Sequence, residues 1–555
     1  MSTISISSVD TADSFEYSPA IRLAIIGCGP RGSYCLESLL RKLKAADKAG
    51  DFDITIFEPS DFPGAGLVYD PRQPHYLRMN LAASLINFWT SSKQTRRSRP
   101  AHQTLLSWLS KRYPLHARDD AYVPRAIVGE YLHECFEDTV LELSKYCHIQ
   151  RVRQKVVDLR HQQGAWIAIT EGKDWSFDEV VITTGHEGLR CSNRVCQVLH
   201  SDPGQDDSRM IAALPFDELT RCQMSDQAEV NVTGFGLTAI DAVLTLTEGR
   251  GGEFIRDEAG DRLSYIPSGN EPALINLISR SGRPMLAKPT SKVEPIEDSF
   301  WQPYREQLQS LRSSFGEIHF QRQIWPVVCE AAASLLRRHG IESDRESVFS
   351  WMRSWNRYSM NHSVAIRTMI ESFLVATAQR PRDIPYALGS AWKTLYPEIV
   401  ELISHGGLCD QSWAGYRRTA AEMERIAFGP PAETVEKLVS LARAGLIRSR
   451  CDRDVEAKPN QVTAVLAKPD EPEDDGLVEK MIQQGYLQHD KVTGAIMVDR
   501  KGRVIAPRGG NNLAIFGRCT EGVVIGNDTL SRTLHQHIER WADTMVARQS
   551  KPVSF

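Results

Sequence analysis

Twice in this chain, about 200 residues apart, a short apolar strand runs into a glycine turn and out into an apolar-striped helix. The first copy is RLAII, Arg22 to Ile26, followed by Gly27-Cys28-Gly29-Pro30-Arg31-Gly32 and a stripe of Tyr34, Leu36, Leu39 and Leu40. An almost unbroken apolar run suits a parallel strand covered on both faces. In such a unit Gly27 permits the tight turn, Gly29 leaves room for a pyrophosphate, and Gly32 lets the helix pack close to the strand. The helix N-terminus then faces the phosphates. Gly27, Gly29, Pro30 and Gly32 are therefore candidate cofactor contacts.

A second strand, FDITIF, ends at Glu58, where a carboxylate can meet the ribose hydroxyls of an adenosine. Glu58 lies 26 residues past Gly32, beyond the usual spacing of about 20. The polar stretch 44–53 absorbs the difference as a loop.

The later copy begins at Ala228, with Val230 and Val232 leading into Gly234-Phe235-Gly236-Leu237-Thr238-Ala239. This is the GxGxxA variant of the same pattern, and Gly234, Gly236, Thr238 and Ala239 are its candidate contacts. Ile240, Val243 and Leu244 continue as a helical stripe. The next strand ends at Arg280, where a cation can meet an adenosine 2′-phosphate and favour NADPH over NADH; a solvated surface arginine is the alternative. Two such units in one chain point to FAD in the first and NAD(P)H in the second. The expected fold class is α/β, with two Rossmann-like nucleotide-binding domains and a mostly helical insertion.

Between the units, VVITTGH ends in Thr183, Thr184, Gly185 and His186. It resembles the ATG(H/Y) segment that links the nucleotide domains of flavin-dependent N-hydroxylases. Together with GCGPRG, FPGAGLVYDP, YLRMNLAAS, YVPRAIVGEYL, GFGLTAID and NLAIFGRCTEG, it makes the chain resemble the FAD/NAD(P)-binding monooxygenase family of FAD-dependent urate hydroxylases and aspartate N-monooxygenases. The resemblance implies that Pro63, Gly64, Gly66 and Asn80 lie along the flavin. It implies that Arg125 and Gly129 belong to a helix start near FAD, with Thr184 and Gly185 beside the cofactor and Gly517 beneath the isoalloxazine ring. It also implies hydroxylation of a small nitrogen compound by O2 through a C4a-hydroperoxyflavin. N-hydroxylation of an amino acid such as aspartate leads, and urate-type ring hydroxylation follows. His186 is the candidate base, with a structural histidine at a hinge as its alternative. Arg283 and Lys288 are candidate cations for an acidic substrate or a cofactor phosphate.

The remaining sequence limits other readings. A net charge of −4 gives no electrostatic grip on nucleic acid or anionic lipid. Eleven cysteines without a CxxC or CxxH pair point away from a zinc site or a disulfide scaffold. No metal is expected, and the absence of CxxC also counts against a disulfide reductase. No apolar run approaches membrane-spanning length, so a cytoplasmic protein is expected. A flavin reductase or oxidase without oxygen transfer, and a non-catalytic cofactor-binding protein, remain as other classes. The expected domains are a disordered tail at 1–19, an FAD-binding part at 20–195 and an NAD(P)H-binding part at 225–298. A helical substrate or lid region at 299–450 and a return to the FAD-binding domain at 451–545 complete the map. The helical region holds Trp301, Trp351, Trp355, Trp392, Trp413 and Tyr416, which either line a pocket or pack a core.

Overall fold

The computed structural model describes residues 20–47, 51–90, 103–185, 209–212, 219, 228–260, 262–451, 460–465, 476–508, 510, 512–527, 530, 532 and 534–548. His186 lies outside the described residues. The first half runs β1 (Ile21–Ile26), α1 (Pro30–Ala46), β2 (Phe52–Phe57), α2 (Leu105–Arg112), α3 (Arg125–Leu143), β3 (His148–Val152), β4 (Asp158–Gln162), β5 (Ala165–Thr170), β6 (Lys173–Phe177) and β7 (Glu179–Ile182). It continues through β8 (Arg209–Ala212), β9 (Glu229–Thr233), α4 (Leu237–Leu246), β10 (Glu253–Arg256), β11 (Leu263–Ile266) and β12 (Leu274–Ser279). The helical stretch holds α5 (Asp298–Gln309), α6 (Trp325–Arg338), α7 (Arg345–Arg357), α8 (His362–Ala376), α9 (Ile384–Ile403), α10 (Trp413–Ala427) and α11 (Ala432–Arg443). Then come β13 (Ile447–Cys451), β14 (Asn460–Thr463), α12 (Leu477–Gln483), β15 (Leu513–Ile515) and α13 (His537–Arg548).

The first sheet is parallel throughout, in the order β15-β7-β1-β2-β3. The strand β1 shows why both faces must be covered. Leu23 and Ile25 turn toward a core built with α1, α3 and α13, while Ala24 and Ile26 turn toward Trp166, Ala168 and α12 on the other side. The second face is closed by the antiparallel β4-β5-β6 sheet. Pro30 stands in the first turn of α1, where its missing N–H is not needed.

The second sheet is also parallel, in the order β13-β12-β9-β14-β8. Its core joins Val230, Val232, Ile275, Leu277 and Val462 to α4 and to Val435 and Leu438 of α11. This order corrects the expected boundaries. The helices enter between β12 and β13, so they interrupt the second sheet rather than follow it. Both β13 and β14 belong to that sheet, and the chain rejoins the first only with α12 and β15. Strand β8 adds an edge contributed before residue 225.

Of the aromatics in the helical stretch, Trp301, Trp392, Trp413 and Tyr416 are buried in its core. Trp355 is also buried, but it lines a cleft together with the half-buried Trp351, and the two rings stack at 5.2 Å. Among the described residues, no helix is long and apolar enough to cross a membrane.

Candidate cofactor sites and the contact between them

The first crevice opens at the carboxyl ends of β1 and β2. Gly27 has φ +78°, and a Cβ there would lie 2.8 Å from Thr184 Cα. The Gly27 amide donates to Phe57 O (2.8 Å), the Thr183 amide to Ile26 O (2.8 Å), and the Thr183 hydroxyl to Gly27 O. A Cβ on Gly32 would lie 2.7 Å from Gly27 O, so this glycine is needed for the helix to sit on the strand. Gly64 has φ +91°, and its amide donates to Cys28 O at 2.6 Å. Gly129 lets α3 lie against the Tyr69 carbonyl, which a Cβ would strike. These glycines are fixed by the fold.

Gly29 is different. Its φ is −73°, a conformation open to any residue, and a Cβ would meet only Gly66 Cα, at an ordinary 3.5 Å. Gly66 faces it across the crevice with φ +68°. Among the described residues nothing requires a bare Cα at Gly29, which leaves the N-terminus of α1 open to close approach. Gly517 follows β15 with φ +112°, and a Cβ there would meet no other residue within 4 Å. Gly185 at the end of the TTG segment is likewise open, with φ +80°.

Glu58 sits at the end of β2 and accepts from the Cys28 amide (2.6 Å) and the Ser60 amide (3.0 Å). It therefore ties the glycine turn to the second strand. A cavity of about 310 Å³ lies against Glu58, Pro63, His133, Arg151 and Val152, at the tips of β2 and β3. Burial pushes the Cys28 thiol well above its usual range, so it is a packing group here.

The second crevice repeats the arrangement. Gly234 has φ +123°, and its amide donates to Ile278 O at 2.7 Å. Gly236 caps α4 with φ −96°, and nothing would touch a Cβ within 4 Å. Thr238 is half-buried in the first turn of α4, and Ala239 is buried against the sheet. Arg280 is exposed just past β12.

The two crevices are joined by contacts that the motifs alone do not reveal. Arg125 opens α3, but its guanidinium turns to the second unit. Nη1 pairs with Asp241 Oδ2 of α4 at 2.5 Å, and Nε donates to Arg78 O at 3.1 Å. The side chains are 12% and 8% exposed, so the pair is nearly dry. Burial raises the Asp241 carboxyl above its ordinary range and Arg125 pulls it back. Arg125 is thus a bridge between units. Asp241 was the missed residue, and its signal was the lone charge within the apolar helix LTAIDAVLTL. Nearby, Lys288 Nζ donates to the carbonyl of half-buried Asn80.

Arg283 departs from expectation. Its guanidinium is paired with both oxygens of Glu422 (3.1 and 3.0 Å) and donates to Trp355 O and Tyr358 O. These bonds hold α7 to α10 and leave the guanidinium committed to the protein.

Behind Gly517, three histidines are held in the neutral form. Burial pushes His535 down to about 4, partly offset by its hydrogen bond to Ile525 O, while Arg31 lowers it further. Burial likewise drives His537 well below its normal value and lowers His405. His537 stacks on Phe516, beside Gly517, at 5.1 Å. An unfolded histidine binds a proton near pH 6.5 and folded His535 only near 4, so this contribution is present above 6.5 and fades as pH falls toward 4. It amounts to roughly 3 kcal/mol for His535. Thermal melts should lose stability across that window, and His535→Gln should flatten the slope near pH 5 by about one proton's worth, roughly 1.4 kcal/mol per pH unit.

Each of the two parallel sheets thus carries a glycine turn at a helix N-terminus, the arrangement that dinucleotide-binding folds use. Residues 24–187 match the family model described as FAD-NAD(P)-binding. Over about three quarters of its length the chain is similar to proteins named for nitrosuccinate formation. One relative is the nitrosuccinate-forming L-aspartate N-monooxygenase of Streptomyces davaonensis, 29% identical and covering 77% of this chain and 76% of its own. Another is the nitrosuccinic acid synthase of Aspergillus oryzae, 25% identical over 77% of this chain and 72% of its own. Among solved structures, the ornithine N-hydroxylase of Kutzneria sp. 744 aligns with 96% of this chain and all of its own at 13% identity, with a TM-score of 0.45. That likeness is too distant to bear on the site.

Proposed function

We propose that this chain is an FAD- and NAD(P)H-dependent monooxygenase that N-hydroxylates a small amino acid, with aspartate as the leading substrate. The relationship to two nitrosuccinate-forming enzymes supports the reaction. The observation that carries the arrangement is the dry Arg125–Asp241 pair, which fastens the two crevices to each other.

In this reading Gly29 and the N-terminus of α1 would hold the pyrophosphate of FAD. Glu58 and the cavity at the tips of β2 and β3 would take its adenosine, and Gly66, Asn80 and Gly517 would hold its ring system. In the second crevice Gly236 and Thr238 would hold the phosphates of NAD(P)H, and Arg280 would meet a 2′-phosphate. When bound, FAD supplies the oxygen-activating chemistry that side chains lack, and NAD(P)H supplies the electrons. The chain's own part is to hold the two ligands in register and to keep bulk water away. Each round of hydroxylation consumes one NAD(P)H, one O2 and one proton. It places one oxygen atom on the amine nitrogen and releases the other as water. The amine must lose its proton before it can act as the nucleophile.

The test is a coupled assay on the purified protein with L-aspartate and urate side by side. The expected result is aspartate-dependent NADPH oxidation that yields an N-oxygenated amino acid. Urate turnover would redirect the assignment to ring hydroxylation. Peroxide release equal to NADPH consumed, whatever the additive, would make the chain a reductase or oxidase.

A further inference from the structure

A cleft of about 810 Å³ lies within the helical stretch. It lies between the segment around Lys288, the stacked Trp351 and Trp355, Tyr386, and one face of α9 at Gly389, Ser390 and Lys393. That volume is in the ordinary range for a small-molecule site. Two contacts fix where it lies relative to the first crevice. At one edge Lys288, which lines the cleft, reaches the Asn80 carbonyl. At another, α9 meets the loop after Gly517: a Cβ on Gly526 would lie 3.0 Å from the Tyr396 hydroxyl, and Asn527 Nδ2 donates to Gly517 O at 2.7 Å. Lys393 stands one helical turn before Tyr396. The cleft is thus bracketed by the residues assigned above to the flavin ring.

The charges within it are unequal in availability. Arg382 is bonded to His339 Nδ1 (3.0 Å) and Glu294 O (3.1 Å) and lies over the Tyr386 ring. Asp383 caps α9 by accepting from the Tyr386 amide at 2.9 Å. Glu371 lies 4.0 Å from Arg380. Lys393 alone among the cleft's cations has no hydrogen-bond or ion-pair partner among the described residues. Lys393 is itself exposed, so its ammonium stands in the wall of the cleft with its charge open to an anion that enters.

We infer that this cleft is the substrate chamber and that the Lys393 ammonium binds a carboxylate of an acidic amino acid. The inference rests on the proposed monooxygenase reading and names the residue that would select its substrate class. Although the side chain is exposed, the protein packed around it lowers the Lys393 pKa by desolvation. A carboxylate arriving beside it would relieve that cost.

Calorimetric titration of the FAD-loaded protein with succinate, an acidic dicarboxylate without an amine, tests the site apart from turnover. The expected result is saturable binding that weakens at least tenfold in Lys393→Gln, with Lys393→Arg recovering most of the affinity and the visible flavin spectrum retained in all three proteins. Succinamate, which has one carboxylate fewer, should bind the unsubstituted protein more weakly and be less sensitive to the Gln substitution. Unchanged succinate affinity in Lys393→Gln, or no succinate binding by the unsubstituted protein, would overturn the inference. Lys393-dependent binding without any N-oxygenated product would leave the site standing and remove the monooxygenase reading. Aspartate turnover with an unchanged KM in Lys393→Gln would do the reverse.

Discussion

Gly29→Val should fold and emerge without flavin, whereas Gly236→Val should fold, stay yellow and resist reduction by NADPH. Both positions have backbone angles open to any residue, and the chain leaves space for a Cβ at each. The added side chain therefore meets the ligand before it strains the protein. Loss of the close approach between pyrophosphate and backbone should weaken each cofactor by about 100-fold or more, close to 3 kcal/mol. Melting temperatures should change little. Gly129→Ala is the contrasting control: its new methyl group would strike the Tyr69 carbonyl and should destabilise the fold itself. Flavin content after gel filtration and dithionite-reducible absorbance separate these outcomes. Equal loss of flavin in both valine variants would mean that the two crevices have been wrongly assigned.

Arg125→Met should keep its flavin but accept hydride from NADPH about 10- to 100-fold more slowly. The substitution leaves Asp241 buried with its charge partner gone, and breaking a buried pair in this way costs about 3–5 kcal/mol. Asp241→Asn should show the same slowing with a smaller loss of stability, because the amide carries no charge. The double variant Arg125→Met/Asp241→Leu separates packing from positioning. An apolar pair of similar volume can restore stability, but it does not reproduce the directed contact between α3 and α4. Stability should therefore recover in the melts while single-turnover reduction in a stopped-flow instrument stays slow, since small displacements between reacting groups cost large factors in rate. If reduction recovers together with stability, the pair serves only to fill the interface.

The motifs at Gly27 to Gly32 and Gly234 to Ala239 were legible because each is local: a buried strand, a turn and a helix within about 20 residues, with periodicities the sequence displays directly. Sheet order was less legible. Strand β14 pairs with β9 across the whole helical insertion, and no local pattern in Asn460 to Thr463 names its partner. The sequence pattern consequently assigns β14 to the return to the FAD-binding domain and most of β13 to the helical region. The site followed the same division. Glycines declare themselves through the backbone they permit, but the direction of a long side chain depends on its tertiary neighbours. Arg125 was noticed for its place at a helix start, and its partner Asp241 emerged only when α3 met α4. Arg283 looked available to a ligand until Glu422, 139 residues away, closed on it. Similarly, the aromatic residues of the insertion could not be divided into core and cleft until the helices were packed. Trp392 lies in the core, whereas Trp351 lines the cavity.

In the proposed reading one chain holds a flavin in its first crevice and receives electrons from a nicotinamide in its second. Anaerobic titration of the purified yellow protein with NADPH tests it most directly. One equivalent should bleach the flavin band in the unsubstituted protein, whereas Gly236→Val should bleach only with dithionite. A protein that binds no flavin, or a Gly236→Val variant reduced by NADPH as fast as its parent, would contradict it.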